Sequence, residues 1–514
     1  MSMRAFQVGA WWVMCLAGLM PAFGAGVHGA QWASGGQDLN NTRHQSAESR
    51  LGTANVPGLK THWAFSAAGD ISATPAVMSG AVYFPDFGGR LWKLDAGTGQ
   101  VLWSRSISEY TGIPGSASRV TPAVSGDRLV IGALQGGLLM AIDKNTGDLL
   151  WKTQLDPHPA ALITQSPVIF GGRVFVGMSS GEEYFATDPN YPCCTFRGSM
   201  VSVDLESGQV LWQSHVVPEG YSGGAIWGST PVVDPRRNSI YFTTGNNYEV
   251  PDSVTECVYN TPPEQAESCL APDNYIDAFV AMDLNTGAIK WARRLQGFDA
   301  WTYICNYVPA GVTWCPSPMG PDYDFGQGPM LFTVKINGRQ RDLLGAGQKS
   351  GIFWALDPDN GNLVWNTLVG PGGALGGIMW GSATDGERIY VANSNRENKP
   401  HTLVSGQQIS GGSWSALEPA TGQILWQTAD PLGGAAMGAV TVANGVVYAG
   451  SMDPQGHMYA MDARTGTILW SFAAGGSINS GAAVVNGTVY WGSGYSRGGM
   501  GTASNKFYAF SVER

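Results

Sequence analysis

Short apolar segments alternate with polar turns along most of the chain, and seven of these turns share one ten-residue pattern. The pattern approximates D-x-x-[TS]-G-x-x-x-W, with Asn360 and Glu418 among its small departures. Each copy predicts a strand, a tight turn with Gly where positive φ is needed, and a second strand ending in Trp. The copies are LDAGTGQVLW (94–103), IDKNTGDLLW (142–151), VDLESGQVLW (203–212), MDLNTGAIKW (282–291), LDPDNGNLVW (356–365), LEPATGQILW (417–426) and MDARTGTILW (461–470).

An apolar strand pair precedes each copy, as in TPAVMSGAVYFPD at 74–86. The unit is therefore a four-stranded meander of roughly 40 residues. An eighth unit starts at 480–494 and continues into FYAFSV at 507–512, but it ends before a Trp strand. LKTHWAF at 59–65 supplies a candidate for the missing strand. We expect an all-β, eight-bladed β-propeller that this N-terminal strand closes in the last blade, since a two-sheet sandwich would not explain the even repeats.

The N-terminus predicts export. One cation, Arg4, precedes a nearly uncharged run over residues 5–23 that ends in small residues, which favours a secretory signal over a membrane anchor. Cleavage is expected between about residues 24 and 30, leaving residues 31–514 as a single propeller in the periplasm or outside the cell. The formal charge of -10 makes nucleic acid an unexpected partner.

Six cysteines remain after the signal, an even number that suits disulfides in an exported chain. Proximity favours Cys257 with Cys269 and Cys305 with Cys315. Cys193 would then pair with its neighbour Cys194. Free buried thiols are the alternative for one or more of them.

The Trp repeats resemble the tryptophan-docking repeats of quinoprotein alcohol dehydrogenases, eight-bladed propellers that carry pyrroloquinoline quinone (PQQ) and a metal ion, usually calcium. Noncatalytic propellers such as outer-membrane assembly lipoproteins use similar blades. Four more segments are most similar to the polyvinyl-alcohol-dehydrogenase-like branch of this family: SSGEEY, CCTFRG, IWGSTPVVDPRRNSIYFTTGNNY and GQKSGIFWALD.

The resemblance implies a set of cofactor contacts. PQQ is a planar tricarboxylate, so its site needs an aromatic platform and cations. Trp227 matches the family tryptophan under the ring system, and Lys349 matches the cation over the quinone oxygens. Arg119 and Thr164 fall at positions similar to the carboxylate-binding contacts. Blade packing for Trp227 and a surface position for Lys349 are the structural alternatives.

The resemblance also implies oxygen ligands for calcium. Glu183 aligns with the family glutamate ligand and Asn246 with its amide ligand, while Asp299 is a further metal candidate. Calcium is expected, with a larger trivalent ion as the alternative. Glu182 is expected to support the site or to face solvent.

The catalytic base departs from the family pattern. Many relatives have an aspartate directly after a tryptophan, but Thr302 follows Trp301 here. Asp299 and Asp324 are the two candidates to accept the alcohol proton, and Asp299 is preferred narrowly. Ser72 stands where methanol-oxidising relatives carry a glutamate.

The adjacent cysteines in GEEYFATDPNYPCCTFRG follow Glu183 closely. We expect a bonded pair at Cys193 and Cys194 to form a rigid lid at the entrance of the cofactor site. No CxxCH motif for covalent haem occurs, so electrons should pass to a separate acceptor, with a c-type cytochrome expected.

These features predict an exported, PQQ- and calcium-dependent dehydrogenase of an alcohol, with polyvinyl alcohol or another bulky secondary alcohol as the candidate substrate. The alternative is a noncatalytic scaffold propeller for protein or glycan binding. A hydrolase ranks last, because no Ser/His/Asp arrangement is visible.

Overall fold

The computed structural model describes residue 1, residues 30–336 and residues 338–513. The signal peptide predicted for residues 1–30 therefore lies, apart from its two end residues, outside the described part. Within that part the strands form eight four-stranded antiparallel sheets, which are the blades of a propeller. The eight-bladed prediction is confirmed.

Blades 1 to 4 each consist of four antiparallel strands that follow chain order from the innermost to the outermost. Their bounds are Ala76–Met78, Ala81–Pro85, Arg90–Asp95 and Val101–Ser106 in blade 1; Ala123–Ser125, Arg128–Gly132, Leu138–Asp143 and Leu149–Gln154 in blade 2; Val168–Phe170, Arg173–Gly177, Ser199–Asp204 and Val210–His215 in blade 3; and Val232–Asp234, Ser239–Thr243, Ala278–Asp283 and Ile289–Arg294 in blade 4.

Blades 5 to 7 repeat this order, and blade 8 combines both ends of the chain. Their bounds are Met330–Ile336, Arg339–Gly347, Ile352–Leu356 and Leu363–Leu368 in blade 5; Ala383–Thr384, Ile389–Asn393, Ser413–Leu417 and Ile424–Ala429 in blade 6; Thr441–Ala443, Val446–Gly450, His457–Asp462 and Ile468–Ala473 in blade 7; and Ala483–Val485, Thr488–Gly492, Lys506–Ser511 and Lys60–Ser66 in blade 8.

Few elements lie outside the blades. Two small two-stranded antiparallel sheets pair Ala161–Leu162 with Ser179–Ser180 and His401–Thr402 with Gln408–Ile409. The α-helices are Ile107–Thr111, Glu182–Phe185 and Asp252–Tyr259, and the 3-10 helices are Val56–Gly58, Pro263–Cys269, Tyr303–Asn306 and Arg497–Gly499.

The N-terminal strand closes the ring as the sequence predicts. Lys60–Ser66 pairs antiparallel with Lys506–Ser511, so the outermost strand of blade 8 comes from the other end of the chain. This closure stabilises the fold because it joins the first and last repeats and covers a free sheet edge.

Trp side chains dock each blade onto the next one. In the Trp212 dock, the indole Nε1 donates to the Leu284 carbonyl oxygen at 3.2 Å. A Cβ on Gly287, whose φ is +70°, would lie 2.6 Å from the Trp212 ring, so the turn must keep glycine. Seven other Trp residues donate to a carbonyl of the adjacent blade or closing segment in the same way: Trp63, Trp103, Trp151, Trp291, Trp365, Trp426 and Trp470.

The segment before the closing strand crosses the centre of the ring. Its main chain forms hydrogen bonds with the innermost strands of six blades, through Val77, Val124, Val233, Leu331, Thr384 and Val442. These bonds satisfy main-chain groups at inner sheet edges that would otherwise lack partners. Arg43 of this segment is buried and donates to the carbonyl oxygens of Gly35 and Val440. The segment therefore closes the axial channel at that level.

Three disulfides form with the connectivity that proximity favours. Cys257 pairs with Cys269 and Cys305 with Cys315, with Cα–Cα distances of 5.7 and 5.0 Å. Cys193 pairs with Cys194. The first two staple long insertions, one within blade 4 and one between blades 4 and 5.

Candidate active site

A cavity of about 620 Å³ lies on the propeller axis. Side chains from blades 2 to 8 and their connections line it, and only a position on the axis is within reach of so many blades. A smaller polar chamber of about 50 Å³ adjoins it and reaches Arg43 and Ser72. Arg119, Thr164 and Trp380 line both spaces and therefore form the partition between them.

Lys349 is the central cation of the larger cavity. It follows the second strand of blade 5, and its Nζ lies 2.8 Å from Asp322 Oδ1 and 2.6 Å from Asp324 Oδ1. Burial opposes the charge of this ammonium, but Asp322, Asp324 and the nearby Glu183 outweigh burial and raise the pKa of Lys349. The lysine is therefore held charged and is not a surface residue.

Trp227 forms one wall next to this cation. Its Nε1 donates to Asp324 Oδ2 at 2.5 Å, and Lys349 Nζ lies 5.4 Å from the ring centroid. A Cβ on Gly326 would lie 3.0 Å from Trp227 Cη2, so the glycine lets the backbone pack closely against the indole. Trp227 thus faces the cavity in a fixed orientation and is separate from the inter-blade docks.

A second aromatic and a second cation continue the wall. The rings of Trp227 and Trp380 meet edge to face at 5.3 Å, and Arg119 Cζ lies 4.5 Å from the Trp380 centroid. Among the residues that the structure describes, Arg119 Nε is buried without a hydrogen-bond partner, and burial lowers the pKa of this guanidinium. Thr164 Oγ1 donates to the Trp227 carbonyl oxygen at 3.4 Å. Arg119 therefore has an unused donor that an anionic ligand could accept.

The adjacent glutamates of GEEY have different surroundings. Glu183 lines the cavity, where burial raises its pKa to about 7, with Lys349 acting in the opposite direction and Asp324 and Asp299 adding to the rise. Glu182 is fully buried and accepts hydrogen bonds from the amides of Thr195 and Phe196 at 2.8 to 2.9 Å. The solvent-facing alternative for Glu182 was wrong, because this carboxylate anchors the cysteine loop.

The cysteine pair is not part of the cavity wall. Cys193 and Cys194 are buried in a hydrophobic core to which blades 1 to 3 contribute, and neither lines the cavity. The Cys194 amide donates to Glu249 Oε2 at 2.8 Å, while Glu182 holds the two residues that follow. These two carboxylates draw the loop against the protein. The structure therefore does not place the pair as a lid over the cavity, in contrast to the expected lid.

Asp299 and Asn246 lie behind the wall and do not line the cavity. The Asp299 carboxylate accepts two hydrogen bonds: its Oδ1 from the Asp322 amide at 3.0 Å and its Oδ2 from the Tyr323 amide at 2.7 Å. Burial raises its pKa to about 7, these amides lower it, and Asp324 raises it further. The Asn246 Nδ2 group donates to the carbonyl oxygens of Asn247 and Trp301, both at 2.9 Å, which leaves its Oδ1 as the remaining polar atom.

Asp322 is the functional candidate that sequence reasoning missed. Its carboxylate lines the cavity and pairs with Lys349. Burial raises its pKa well above the usual value, Lys349 opposes the shift, and Asp324 and Glu183 add to it. The signal was the stretch PDYDFG itself, where Asp322 stands two residues before Asp324.

Negative charge exceeds positive charge around Lys349. Glu183, Asp299, Asp322 and Asp324 influence one another electrostatically, and Lys349 is the cation they share. In the described part of the chain no cluster of three or more His, Cys, Asp or Glu side chains has metal-holding geometry. A cation here would therefore need neutral oxygens, such as that of Asn246, beside a carboxylate.

Comparisons with known proteins agree with this architecture. A family model described as outer membrane protein assembly factor BamB matches residues 54–299 and 348–509. A polyvinylalcohol dehydrogenase of a Pseudomonas species is 32% identical over 94% of this chain and 77% of its own length. The polyvinylalcohol dehydrogenase of a Sphingopyxis species is 31% identical over 94% of this chain and 76% of its own length.

Solved structures show the same fold. The crystal structure of quinohemoprotein alcohol dehydrogenase from Comamonas testosteroni matches with a TM-score of 0.70 and 20% identity, covering 94% of this chain and 80% of that one. The identity is low, so this likeness concerns the fold. Together with the two sequence relatives and the axial cavity, it confirms the resemblance: the chain belongs to the quinoprotein alcohol dehydrogenase family, in its polyvinyl-alcohol-dehydrogenase-like branch.

Proposed function

We propose that this protein is an exported dehydrogenase that oxidises secondary alcohols, including polyvinyl alcohol, with PQQ and calcium. The observation that carries the proposal is the grouping of Trp227, Lys349 and three cavity-lining carboxylates around one axial cavity. When bound, PQQ supplies the two-electron acceptor for the alcohol. The residues of this chain bind and orient the cofactor and substrate and move the alcohol proton.

The residues present fit an aromatic tricarboxylate. Trp227 and Trp380 offer apolar ring surface, and Arg119 has a buried donor without a partner. A buried cation with a free donor favours an anionic ligand, because binding then satisfies a group that is costly to leave unpaired. Lys349 and Arg119 would hold the polar edges of PQQ, with Thr164 beside them, and Trp227 would support its ring face.

The metal proposal is supported by charge and by ligand chemistry. Calcium prefers oxygen donors, and a divalent cation would offset both the burial and the smaller repulsion from Asp324 and Asp299 that raise the pKa of Glu183 to about 7. Glu183 and the Asn246 oxygen are the proposed ligands. Asp299 remains a candidate behind them, although its two main-chain hydrogen bonds already occupy its oxygens.

The proton acceptor is proposed among the aspartates of PDYDFG. Asp324 and Asp322 line the cavity, whereas Asp299 does not, so the narrow preference for Asp299 as the base is replaced by these two. Trp227 and Lys349 each hold one oxygen of Asp324, which orients its carboxylate. Asp322 is bonded to Lys349 through Oδ1 only, so its Oδ2 is the better placed oxygen for accepting an alcohol proton.

Export and a separate electron acceptor complete the proposal. Three disulfides suit an oxidising compartment, such as the periplasm or the medium. No helix in the described residues is long and apolar enough to cross a membrane. The proposed electron acceptor is a separate c-type cytochrome; the printed sequence contains no haem-attachment motif of its own.

A scaffold propeller is the second candidate function. It is favoured by the family model, whose description names an outer-membrane assembly factor. A scaffold would not need Lys349, Asp322 and Asp324 to be buried together, which is costly without a ligand-related role.

Reconstitution tests the two candidates against each other. Purified apoprotein is incubated with micromolar PQQ and Ca²⁺, and dye-linked oxidation of 2-pentanol and polyvinyl alcohol is measured. The dehydrogenase proposal predicts oxidation that requires both additions. A protein that takes up no PQQ and oxidises neither alcohol would instead be a scaffold.

A further inference from the structure

In the described residues, three of the four exposed aromatic side chains line the cavity or contact a residue that lines it. Across residues 30–336 and 338–513, four aromatic residues are exposed: Tyr184, Phe185, Tyr259 and Tyr307. All four lie in insertions of blades 3 and 4 or in the connection to blade 5, whereas the aromatic residues of the described blade strands are buried or partly buried. Exposed aromatic surface has an unfavourable hydration free energy, so its concentration at one place indicates a contact surface.

Four aromatic residues of these insertions form a continuous strip that starts in the cavity wall. Trp301 and Tyr303 line the cavity, with ring centroids 6.3 Å apart. Tyr303 contacts Tyr184 at 5.5 Å and Tyr307 at 5.8 Å. Tyr307 is 68% exposed and does not line the cavity. The aromatic strip, defined as Trp301, Tyr303, Tyr184 and Tyr307, therefore leads from the cavity interior to the surface.

Covalent and hydrogen-bonding constraints hold the strip in place. Tyr303 begins the 3-10 helix Tyr303–Asn306, which contains Cys305 of the Cys305–Cys315 disulfide. The Tyr307 hydroxyl donates to the Tyr303 hydroxyl at 3.5 Å, and Tyr184 lies on the short helix Glu182–Phe185 anchored by buried Glu182. A surface held in this way binds a ligand without first losing much conformational entropy.

The shape and chemistry of the strip match one kind of occupant. A small alcohol would fit inside the cavity and would not reach Tyr307. A polyalcohol chain presents methylene groups that can pack on tyrosine rings and hydroxyl groups that can bond with the tyrosine hydroxyls. The four side chains of the strip offer rings and N–H and O–H groups, which can contact a neutral polymer without an ionic partner.

We infer that the aromatic strip is a binding track for an aliphatic polyalcohol, which holds the chain outside the cavity while one of its carbinol groups enters. The inference rests on the proposed function and adds a substrate subsite to it. Tyr303 and Tyr184 contact the chain at the mouth, and Tyr307 contacts it outside the cavity.

The test combines binding with selectivity. The holoenzyme and its Tyr307→Ala variant are compared by native gel electrophoresis in gels containing polyvinyl alcohol, which measures binding without turnover. The ratio of kcat/KM for polyvinyl alcohol to kcat/KM for 2-pentanol is then measured with a dye acceptor. Tyr259→Ala is the matched control, because Tyr259 is 62% exposed and its hydroxyl forms a hydrogen bond with Ser317, outside the strip.

We expect Tyr307→Ala to weaken retardation by the polymer and to lower the selectivity ratio about fivefold to tenfold, the loss of roughly one aromatic contact. Tyr259→Ala should behave as the wild type does.

Unchanged retardation and ratio in Tyr307→Ala would overturn the inference. A lower rate with cytochrome c on both alcohols, with polymer retardation unchanged, would also overturn it and identify the strip as a docking surface for the acceptor. Retardation of a wild type that oxidises no alcohol would overturn the proposed function alone.

Discussion

The ring of Trp docks is formed by one repeated sequence pattern, whereas the axial cavity is formed by residues that do not repeat. Each dock uses one Trp and one neighbouring turn, and the pattern recurs eight times around the ring. The cavity is lined by non-repeated residues of seven blades and their connections. The repeated positions therefore determine the fold, whereas the non-repeated positions determine the chemistry of the site. The predictions below separate the two.

The largest effect is expected from the cavity aspartates. Asp322→Asn and Asp324→Asn each remove a carboxylate that faces the cavity, and we expect kcat to fall by about 10²- to 10⁴-fold, the usual range for general bases. Asp299→Asn is the comparison variant, because Asp299 is bonded to two amides behind the wall. If Asp299→Asn alone abolished turnover and the other two retained it, the reassignment of the base would be wrong.

Lys349→Met should remove the cation that the four carboxylates of the site share. We expect a loss of about 10²- to 10³-fold in activity, because a preorganised charge at the reacting centre is lost. Bound PQQ, measured by absorbance after desalting, should fall as well. Lys335→Met is the matched control on the same blade, where the lysine is exposed. Equal PQQ retention in both variants would contradict the proposed contact.

The neighbouring glutamates offer the sharpest contrast. Glu183→Gln should raise the Ca²⁺ concentration needed for half-maximal activity by about 10- to 100-fold, since a charged ligand is lost. Glu182→Gln should leave this calcium dependence unchanged, because Glu182 bonds the cysteine loop instead. In Glu182→Gln we expect a protease to cleave the cysteine loop faster than in the wild type, because the loop loses its hydrogen bonds to Glu182. A shift in calcium dependence from Glu182→Gln and none from Glu183→Gln would reverse the assignment.

Trp291→Phe should have the smallest effect. It loses the hydrogen bond from Nε1 to the Pro358 carbonyl oxygen and part of the packing on Gly361, which is expected to cost about 1 to 2 kcal/mol of the free energy of unfolding. Thermal unfolding would show a drop of a few degrees, while kcat stays unchanged. A large loss of kcat in a folded variant would show that the docks also shape the cavity.

The sequence predicted most of the fold because both halves of the dock lie in one short pattern that every repeat contains. Each ten-residue repeat carries a turn with its glycine and a Trp, and this Trp docks on the turn of the next repeat, so every blade shows its own signal and even Trp63 of the closing strand could be recognised. Cavity residues that stand in recognisable segments, such as Trp227 and Lys349, were also identified. Their placement at one wall follows from the ring geometry.

The remaining site features depend on contacts between distant residues. Asp322 reaches Lys349 only because the insertion after Asp299 folds back, with the Asp322 and Tyr323 amides bonded to that carboxylate. The cysteine pair turns away from the cavity because Glu182 and Glu249 bond its loop. Neither path is encoded in a short motif, so spacing alone could not separate Asp299 from Asp322 or a lid from a buried loop.

The central claim is that the axial cavity binds PQQ through Lys349 and Trp227, and equilibrium dialysis of purified apoprotein against PQQ tests it most directly. The account predicts one PQQ bound per chain at micromolar concentration in the wild type and in Lys335→Met, with binding weakened at least tenfold in Lys349→Met. Absence of PQQ binding in the wild type, or equal binding in Lys349→Met, would contradict it.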